Sequence, residues 1–398
     1  MRVLLISQYF YPEEFKCNDI AFELSRRGHD VTVLTGIPNY PKGKYFPGYG
    51  VLRKRREVID GVKVVRALTV PRKSGSGKWL AMNYLSYAFF ATVNAVGMAF
   101  RGNYDAIFVH ETSPVTVGIP AVIYKKIKKI PLYFWVLDLW PESLEAAGGI
   151  KNKRILNAFG GLTKWIYRNS SRILISSRSF ATAISRMGDF SGKVEYFPNW
   201  GEREISRPSG ELPVGMPEGF NVVFTGNIGE AQDMPHILEA ARLLKDSNVN
   251  IILIGEGRKR AWLEKQIAAM GLTNLYCPGR FPRETMPGFY EAADVLFFSL
   301  KKEPVFALTC PAKVQAYMSS GKPIVAMIDG DAARVIEDAG CGWSVPAEDA
   351  RGLADLLLRL SNTDKKIFEQ KGKAGLEYYR KHFDYRTCID NLERMLTE

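Results

Sequence analysis

Short apolar runs recur along the first half of the chain, separated by stretches whose apolar positions have helical spacing. "RVLLIS" predicts a buried strand. "NDIAFELSRRG" predicts a helix, with Asn18 as its cap and Gly28 as its terminator. The strands "HDVTVLTG" and "VKVVRAL" follow, then a long apolar segment, then "YDAIFVHE", "IPLYFWVLD" and "RILISS". Strands alternating with helices predict parallel βαβ units and a doubly wound α/β sheet. From Tyr196 to Phe220 the chain is rich in Pro, Gly and charge and has no period, which is the composition of a linker. The pattern then restarts with "NVVFTG", "HILEAARLLK", "VNIILIGEG", "LYCPG" and "DVLFFSL", and the tail from Asp364 has helical spacing. The expected organisation is one doubly wound domain over 1–200, a linker over 201–219, a second such domain over 220–380, and a helix over 381–398 packing back on the first domain. Sheets of this kind bind ligands at the carboxyl ends of their strands. Two of them joined by one linker predict a central cleft, with the chemistry on the strand-end loops.

Composition changes this picture at one place. The chain has 398 residues, 46% of them hydrophobic and 12% aromatic, which argues against disorder. Its five cysteines, with no Cys-x-x-Cys pair, speak against a disulfide framework or a zinc site and fit a reducing compartment. "MRVLLIS" is too short for the apolar core of a signal peptide, so the bulk of the protein is expected to be cytoplasmic. A net charge of +12 suggests phosphate-bearing partners or an anionic membrane surface. Trp79 to Phe100 then stands out as 22 residues without a charge, preceded by Arg72, Lys73 and Lys78 and followed by Arg101. Its length suffices for a membrane span, but Asn83, Ser86, Thr92, Asn94 and Gly97 lower its hydrophobicity. A core helix with one membrane-facing side is the first reading, ahead of a wholly buried helix and of a span.

Four stretches carry candidate chemistry. In "CPAKVQAYMSSGKPIVA", Pro311 suits the start of a helix. Lys313 falls in the first turn, where a cation is unfavourable unless an anion is present. A bound diphosphate and a solvated lysine explain it equally well. "FTGNIGEAQD" ends a strand at Thr225, and Gly226 and Gly229 allow close backbone approach, whether to a ligand or within a tight loop. "VLDLWPESLEA" puts Asp138 at a strand end, as a general base or as a cap of the next helix. "VHETSPVTVG" does the same for His110 and Glu111. Other patterns fail: "SGSGKW" lacks the Walker spacing, Arg260 stands where a dinucleotide fingerprint needs glycine, and "HETSP" is not a zinc-protease motif. "RKRR", Arg53 to Arg56, lacks interleaved aromatics, so no nucleic-acid partner is expected.

Taken together, these motifs resemble those of bacterial retaining glycosyltransferases of family 4, which have the GT-B fold. "RGHDVTVLTG" resembles their RGHEVTVLT, "FPNW" their IPNG before the linker, "FTGNIG" their YAGNLG, and "MSSGKPIVA" their MASGxPVVA. "QYFYPEEFKCND", "VLDLWPESLEA" and "TCPAKVQAYMSSGKPI" are similar to a subgroup that builds O-antigen and capsule repeat units and includes fucosamine transferases. The resemblance covers essentially the whole chain. It implies two Rossmann-like domains facing a cleft, with a nucleotide-sugar donor on the second and an acceptor on the first. Donor contacts carried over by motif are Gly226, Asn227 and Gly229, then Gly279, Arg280 and Phe281, and the helix starting at Pro311.

The chain departs from the family in three places. The Glu-x7-Glu pair aligns on Ala307 and Gln315, of which only Gln315 can hydrogen-bond a ribose hydroxyl. The usual Arg and Lys are replaced by Asn227 and Gln232, which leaves Lys313, with Arg334 in reserve, to meet the diphosphate. The usual glycine pair after the first strand is replaced around Lys16 to Asn18. The resemblance implies retaining transfer from a UDP-sugar, an N-acetylated amino sugar in this subgroup, to a polyprenyl-diphosphate-linked acceptor. No cofactor or catalytic metal is expected. Asp138 and His110 are the expected catalytic residues, Lys16, Asn18 and Glu142 lie on the acceptor and phosphate side, and the enzyme is expected to attach peripherally to the inner leaflet of the cytoplasmic membrane. The alternatives are a sugar-nucleotide epimerase of the same fold and a non-catalytic binding protein.

Overall fold

A computed structural model describes residues 1–146, 149–201 and 212–398. Most of the expected linker, residues 202–211, lies outside the described residues. The chain forms two units, one comprising Met1–Phe197 with Ile389–Glu398, the other Pro198–Cys388.

In the first unit the elements run β1 (Arg2–Ile6), α1 (Lys16–Arg26), β2 (Asp30–Gly36), β3 (Arg56–Ile59), β4 (Val62–Ala67), α2 (Gly77–Arg101), β5 (Ala106–Glu111) and α3 (Gly118–Lys128). They continue with β6 (Leu132–Val136), α4 (Glu142–Ala146), α5 (Lys153–Asn169), β7 (Arg172–Ile175), α6 (Phe180–Met187) and β8 (Val194–Tyr196). The sheet order is β3-β4-β2-β1-β5-β6-β7-β8. All neighbours are parallel except β3, which runs antiparallel to β4 at the edge. Every residue of β5 and β6 is buried, as expected where helices cover both faces of a parallel sheet. The strand order reverses between β1 and β5, and this switch point is where a doubly wound sheet opens a crevice at its carboxyl edge.

The second unit runs β9 (Phe220–Thr225), α7 (Met234–Leu243), β10 (Val249–Ile254), α8 (Arg260–Met270), β11 (Leu275–Gly279), α9 (Met286–Ala292) and β12 (Val295–Ser299). Then come α10 (Pro304–Ala307), α11 (Ala312–Ser319), β13 (Ile324–Met327), α12 (Asp331–Asp338), β14 (Gly342–Val345), α13 (Ala350–Leu360) and α14 (Lys365–His382), and the last helix, α15 (Tyr385–Thr397), belongs from Ile389 on with the first unit. The order β11-β10-β9-β12-β13-β14 is parallel throughout and reverses between β9 and β12. Two parallel, doubly wound sheets are the α/β architecture that the alternating pattern predicts.

Two local expectations change. Asn18 does not cap α1, because its amide is committed to the preceding loop. Its Oδ1 accepts the Tyr11 N–H at 3.2 Å and its Nδ2 donates to the Glu13 carbonyl at 2.7 Å. Phe15 occupies the cap position instead, and Gly28, at φ +90°, ends the helix as expected. The antiparallel edge strand β3 is absent from the sequence reading, because its burial alternates weakly and its first residue belongs to the basic run at 53–56.

The long apolar segment forms α2. Asn83, Tyr87, Ala88, Ala91, Ala95 and Ala99 are buried, and the helix packs on α3. Alanines four apart let the two backbones approach closely. The opposite face exposes Met82, Leu85, Phe89, Val93 and Phe100. No helix among the described residues is long and apolar enough to cross a membrane.

Candidate active site

At the switch point of the first unit, the Ser7 hydroxyl lies 3.2 Å from His110 Nδ1. His110 closes against Trp135, ring centroids 5.4 Å apart, and its Nε2 is buried without a hydrogen-bond partner. Burial pushes the imidazole down to about 3, so the ring is neutral at neutral pH.

One residue further along β5, Glu111 is 1% exposed. Its Oε2 accepts the N–H groups of Leu137 at 3.4 Å and Asp138 at 3.3 Å, and its Oε1 has no partner. The register explains this: β5 and β6 pair Glu111 with Val136, so the turn leaving β6 runs over the Glu111 side chain. Asp138 is half-buried and accepts the Ser143 hydroxyl. Burial raises its carboxyl to about 6, with the Ser143 bond acting the other way. Glu111 is held well above the carboxylate range, first by burial and then by the charge of Asp138. Glu142, at the start of α4, adds a third carboxyl with a buried, unpartnered Oε2. Among the described residues none of the three pairs with a cation. The carboxyl end of β5 and β6 is therefore an acidic, hydrogen-bond-accepting site beside a neutral histidine.

Sequence reasoning placed His110, Glu111 and Asp138 at strand ends and gave roles to His110, Asp138 and Glu142, but none to Glu111. The signal was a carboxyl next to His110; what the sequence withheld was the β5–β6 register. Lys16 is the first residue of α1, half-buried. Asn18 braces the loop before that helix, as described above.

In the second unit, the loops after β9, β10 and β11 close on one another. Gly226, at φ +132°, donates its N–H to the Ile254 carbonyl at 2.8 Å, and Gly255 donates to the Gly279 carbonyl at 2.8 Å. A Cβ on Gly226 would lie 2.8 Å from Lys313 Cε and 3.1 Å from its Nζ, so these two expected donor residues touch. Lys313 stands in the first turn of α11, behind Pro311 at the cap. Its ammonium lies 3.8 Å above the Phe224 ring, and no carboxylate pairs with it among the described residues. Burial pushes it down to about 7.

The remaining expected donor residues divide. Asn227 packs against Gly229 and Gly257, and Gln232 accepts the Gly229 N–H at 3.2 Å, so both brace the loop. Gly279, at φ +104°, lies against the Arg260 guanidinium. Arg280 is exposed, and Phe281 meets Phe289 in a tilted ring contact, centroids 5.2 Å apart. Gln315 is fully buried, with a weak contact to Cys310 Sγ at 3.6 Å and an unpartnered Oε1. Arg334 is largely exposed and paired with Asp331 at 3.2 Å.

Known proteins carry the same signature in both units. Residues 16–200 match the family described as "Glycosyl transferase 4-like domain", and residues 219–363 match "Glycosyl transferases group 1". The chain belongs to these glycosyltransferases. It is 27% identical to WbjE of Pseudomonas aeruginosa, named as a glycosyltransferase, over 70% of each chain. It is 24% identical to WcaI of Escherichia coli, named as a colanic acid biosynthesis glycosyl transferase, over 75% of each. Among solved structures it is similar to a sucrose-phosphate synthase from Thermosynechococcus elongatus, at 14% identity and a TM-score of 0.77 over 99% of this chain and 98% of the other. HepE from Anabaena, in complex with UDP and glucose, superposes with a TM-score of 0.70 at 18% identity over 100% and 99%. The fold is GT-B, and the protein is a glycosyltransferase.

Proposed function

We propose that the enzyme transfers a sugar, with retention, from a UDP-sugar to a polyprenyl-diphosphate-linked acceptor during surface-polysaccharide assembly. An N-acetylated amino sugar of the fucosamine type is the donor sugar that the subgroup motifs favour. The observation that carries the donor half is the Lys313 ammonium, held against Gly226 in the first turn of α11 with no carboxylate to neutralise it. A diphosphate there meets a cation and the free N–H groups of a helix start together, without calling on a metal. HepE and its complexes with UDP and UDP-glucose support a UDP-linked donor.

In this reading the donor C1–O bond breaks and its electron pair goes to the UDP oxygen. The acceptor hydroxyl oxygen bonds C1 on the same face, and its proton passes to the departing phosphate oxygen. Asp138 accepts a hydrogen bond from that hydroxyl and orients it, and His110 Nε2 offers a neutral contact. The exposed apolar face of α2, with Lys78 before it and Arg101 at its end, attaches the enzyme to an anionic bilayer surface. Arg72, expected to share in that contact, is instead enclosed by tyrosine rings.

The test is UDP release from a panel of UDP-sugars, with and without a polyprenyl-diphosphate-linked sugar. Acceptor-dependent UDP release is the expected result. Epimerisation of a UDP-sugar without acceptor, or binding without turnover, overturns the reading.

A further inference from the structure

Two loops at the carboxyl edge of the first sheet, residues 37–49 after β2 and 68–76 after β4, are pinned together. Gly43 donates to the Asn39 carbonyl at 2.8 Å, Lys73 donates to the Gly43 carbonyl at 2.9 Å, and the Tyr45 hydroxyl donates to the Thr69 carbonyl at 2.7 Å. Gly43 sits at φ +69°, and a Cβ there would lie 2.0 Å from the Lys73 carbonyl oxygen, so the junction admits only glycine. The loop pair carries four cations, Lys42, Lys44, Arg72 and Lys73, none of which has a carboxylate partner among the described residues.

Arg72 is the most constrained of them. Its guanidinium lies 5.9, 5.1 and 5.7 Å from the ring centroids of Tyr9, Tyr40 and Tyr84. Its Nη2 donates to the Tyr84 hydroxyl at 3.1 Å, and its backbone N–H donates to Asn39 Oδ1 at 3.1 Å. Two carboxylates of this edge are engaged elsewhere: Glu13 accepts the N–H groups of Asn39 and Tyr40 at 2.8 and 2.7 Å, and Glu57 pairs with Arg66 at 2.7 Å. Lys44 and Lys73 line a cavity of about 630 Å³ together with Gly43, Tyr45, Pro71 and Ser74, with Pro71 and Lys73 flanking Arg72 along the 68–76 loop. The Lys73 ammonium rests 3.6 Å over the ring of Trp79, in the first turn of α2, and the exposed apolar stripe of that helix begins one turn further on.

We propose that this loop pair is a binding site for the diphosphate of an amphiphilic acceptor, with Arg72 as its principal contact, Lys44 and Lys73 as auxiliary cations, and the acceptor's hydrocarbon chain along the exposed face of α2. The inference rests on the reading of a lipid-linked acceptor and adds the site to it. A planar guanidinium matches phosphate oxygens in a bidentate fork. Three aromatic faces hold that plane in place and shield it from water, so an incoming anion gains more there than at a hydrated surface lysine. A cationic head site adjoining an apolar stripe selects a ligand with an anionic head and a hydrocarbon tail, over either part alone.

The test is titration calorimetry of the full chain with farnesyl diphosphate, using farnesol, inorganic pyrophosphate and phosphatidylglycerol vesicles as separate arms. Farnesyl diphosphate is expected to bind at least about tenfold more tightly than farnesol or pyrophosphate. Arg72→Gln is expected to weaken it at least about tenfold, and Arg72→Lys to recover only part of the loss, while UDP binding and vesicle binding stay unchanged. Lys73→Gln leaves the tyrosine cage intact and serves if the Arg72 variants fold poorly; a threefold or larger loss is expected. If both the Arg72→Gln and Lys73→Gln proteins bind farnesyl diphosphate as the wild type does, the site is wrong and the lipid-linked acceptor still stands. If the wild type binds farnesyl diphosphate no better than farnesol, the acceptor reading falls as well. If the variants lose vesicle binding but keep farnesyl diphosphate, the loops serve the bilayer surface and the proposal is overturned.

Discussion

A lysine in the first turn of a helix works against the helix dipole, and burial adds to the cost of its charge. Lys313 bears both penalties, and its folded value of about 7 sets the consequence. The ammonium is fully present below pH 7 and is lost as the pH rises through that value in the free protein. Affinity for a UDP-sugar, whose own diphosphate does not titrate there, should fall by up to about tenfold per pH unit above 7. Lys313→Met should flatten that profile and cost about 1–3 kcal/mol at pH 6; calorimetry showing the same profile in both proteins would remove Lys313 from the diphosphate.

Asp138 obeys the opposite rule. A carboxyl raised to about 6 is ionised above that value, so turnover should fall as the pH drops through 6. Asp138→Asn should lose about 10²-fold in kcat with UDP affinity retained. Burial and then the charge of Asp138 hold Glu111 well above the ordinary carboxylate range, which favours its neutral form. Glutamine reproduces a protonated glutamate, so Glu111→Gln should stay within about threefold of the wild type with an unmoved acid limb. Glu111→Ala leaves the Leu137 and Asp138 N–H groups without their acceptor and should lower kcat well beyond that. Equal effects of the two substitutions would assign Glu111 a charged role instead.

At the scale of elements, α2 has two faces that answer to different forces. Its buried alanines fit against α3, and Ala95→Leu should overpack that contact and destabilise the protein by about 1–3 kcal/mol in denaturant unfolding. On the other face Leu85 is 61% exposed and Phe89 63%, so Leu85→Gln with Phe89→Gln should leave stability within about 0.5 kcal/mol. The same pair should release the protein from phosphatidylglycerol vesicles in a sedimentation assay. Vesicle binding unchanged by the double substitution would mean that α2 is not the contact. The sequence pattern carried the length and apolarity of this helix but not the division into faces. Apolar residues surround it on nearly every side, so only the packing of α3 tells which ones are covered.

For the whole molecule, the chain crosses into its second unit and returns. Ile389–Glu398 belong with Met1–Phe197, and Glu393 binds Arg27 at 2.6 Å and His29 at 2.7 Å. These bonds hold the Glu393 carboxyl below its ordinary value. The contribution is present above the usual carboxylate range and is lost as the pH falls through the lowered value. Glu393→Gln should cost about 1 kcal/mol at pH 7, seen as a fall of about 2–4 °C in Tm, and the difference from the wild type should shrink in acid. A constant difference down to pH 3 would mean that packing rather than charge makes the contact.

The residue order alone determined the two parallel sheets, since apolar runs alternating with helical spacing leave few other ways to bury both. It also placed Asp138, His110 and Gly226 at strand ends, because strand length and the polar residue that stops each run are local properties. Tertiary structure decided what lies beside them. Glu111 reaches the Asp138 N–H only through the register of β5 on β6, and Lys313 touches Gly226 across a separation of 87 positions (313 less 226). Arg72 is clasped by tyrosines from three separate segments. Each of these contacts depends on how distant segments pack, and hydrophobic periodicity records which side of an element is buried without recording what it is buried against.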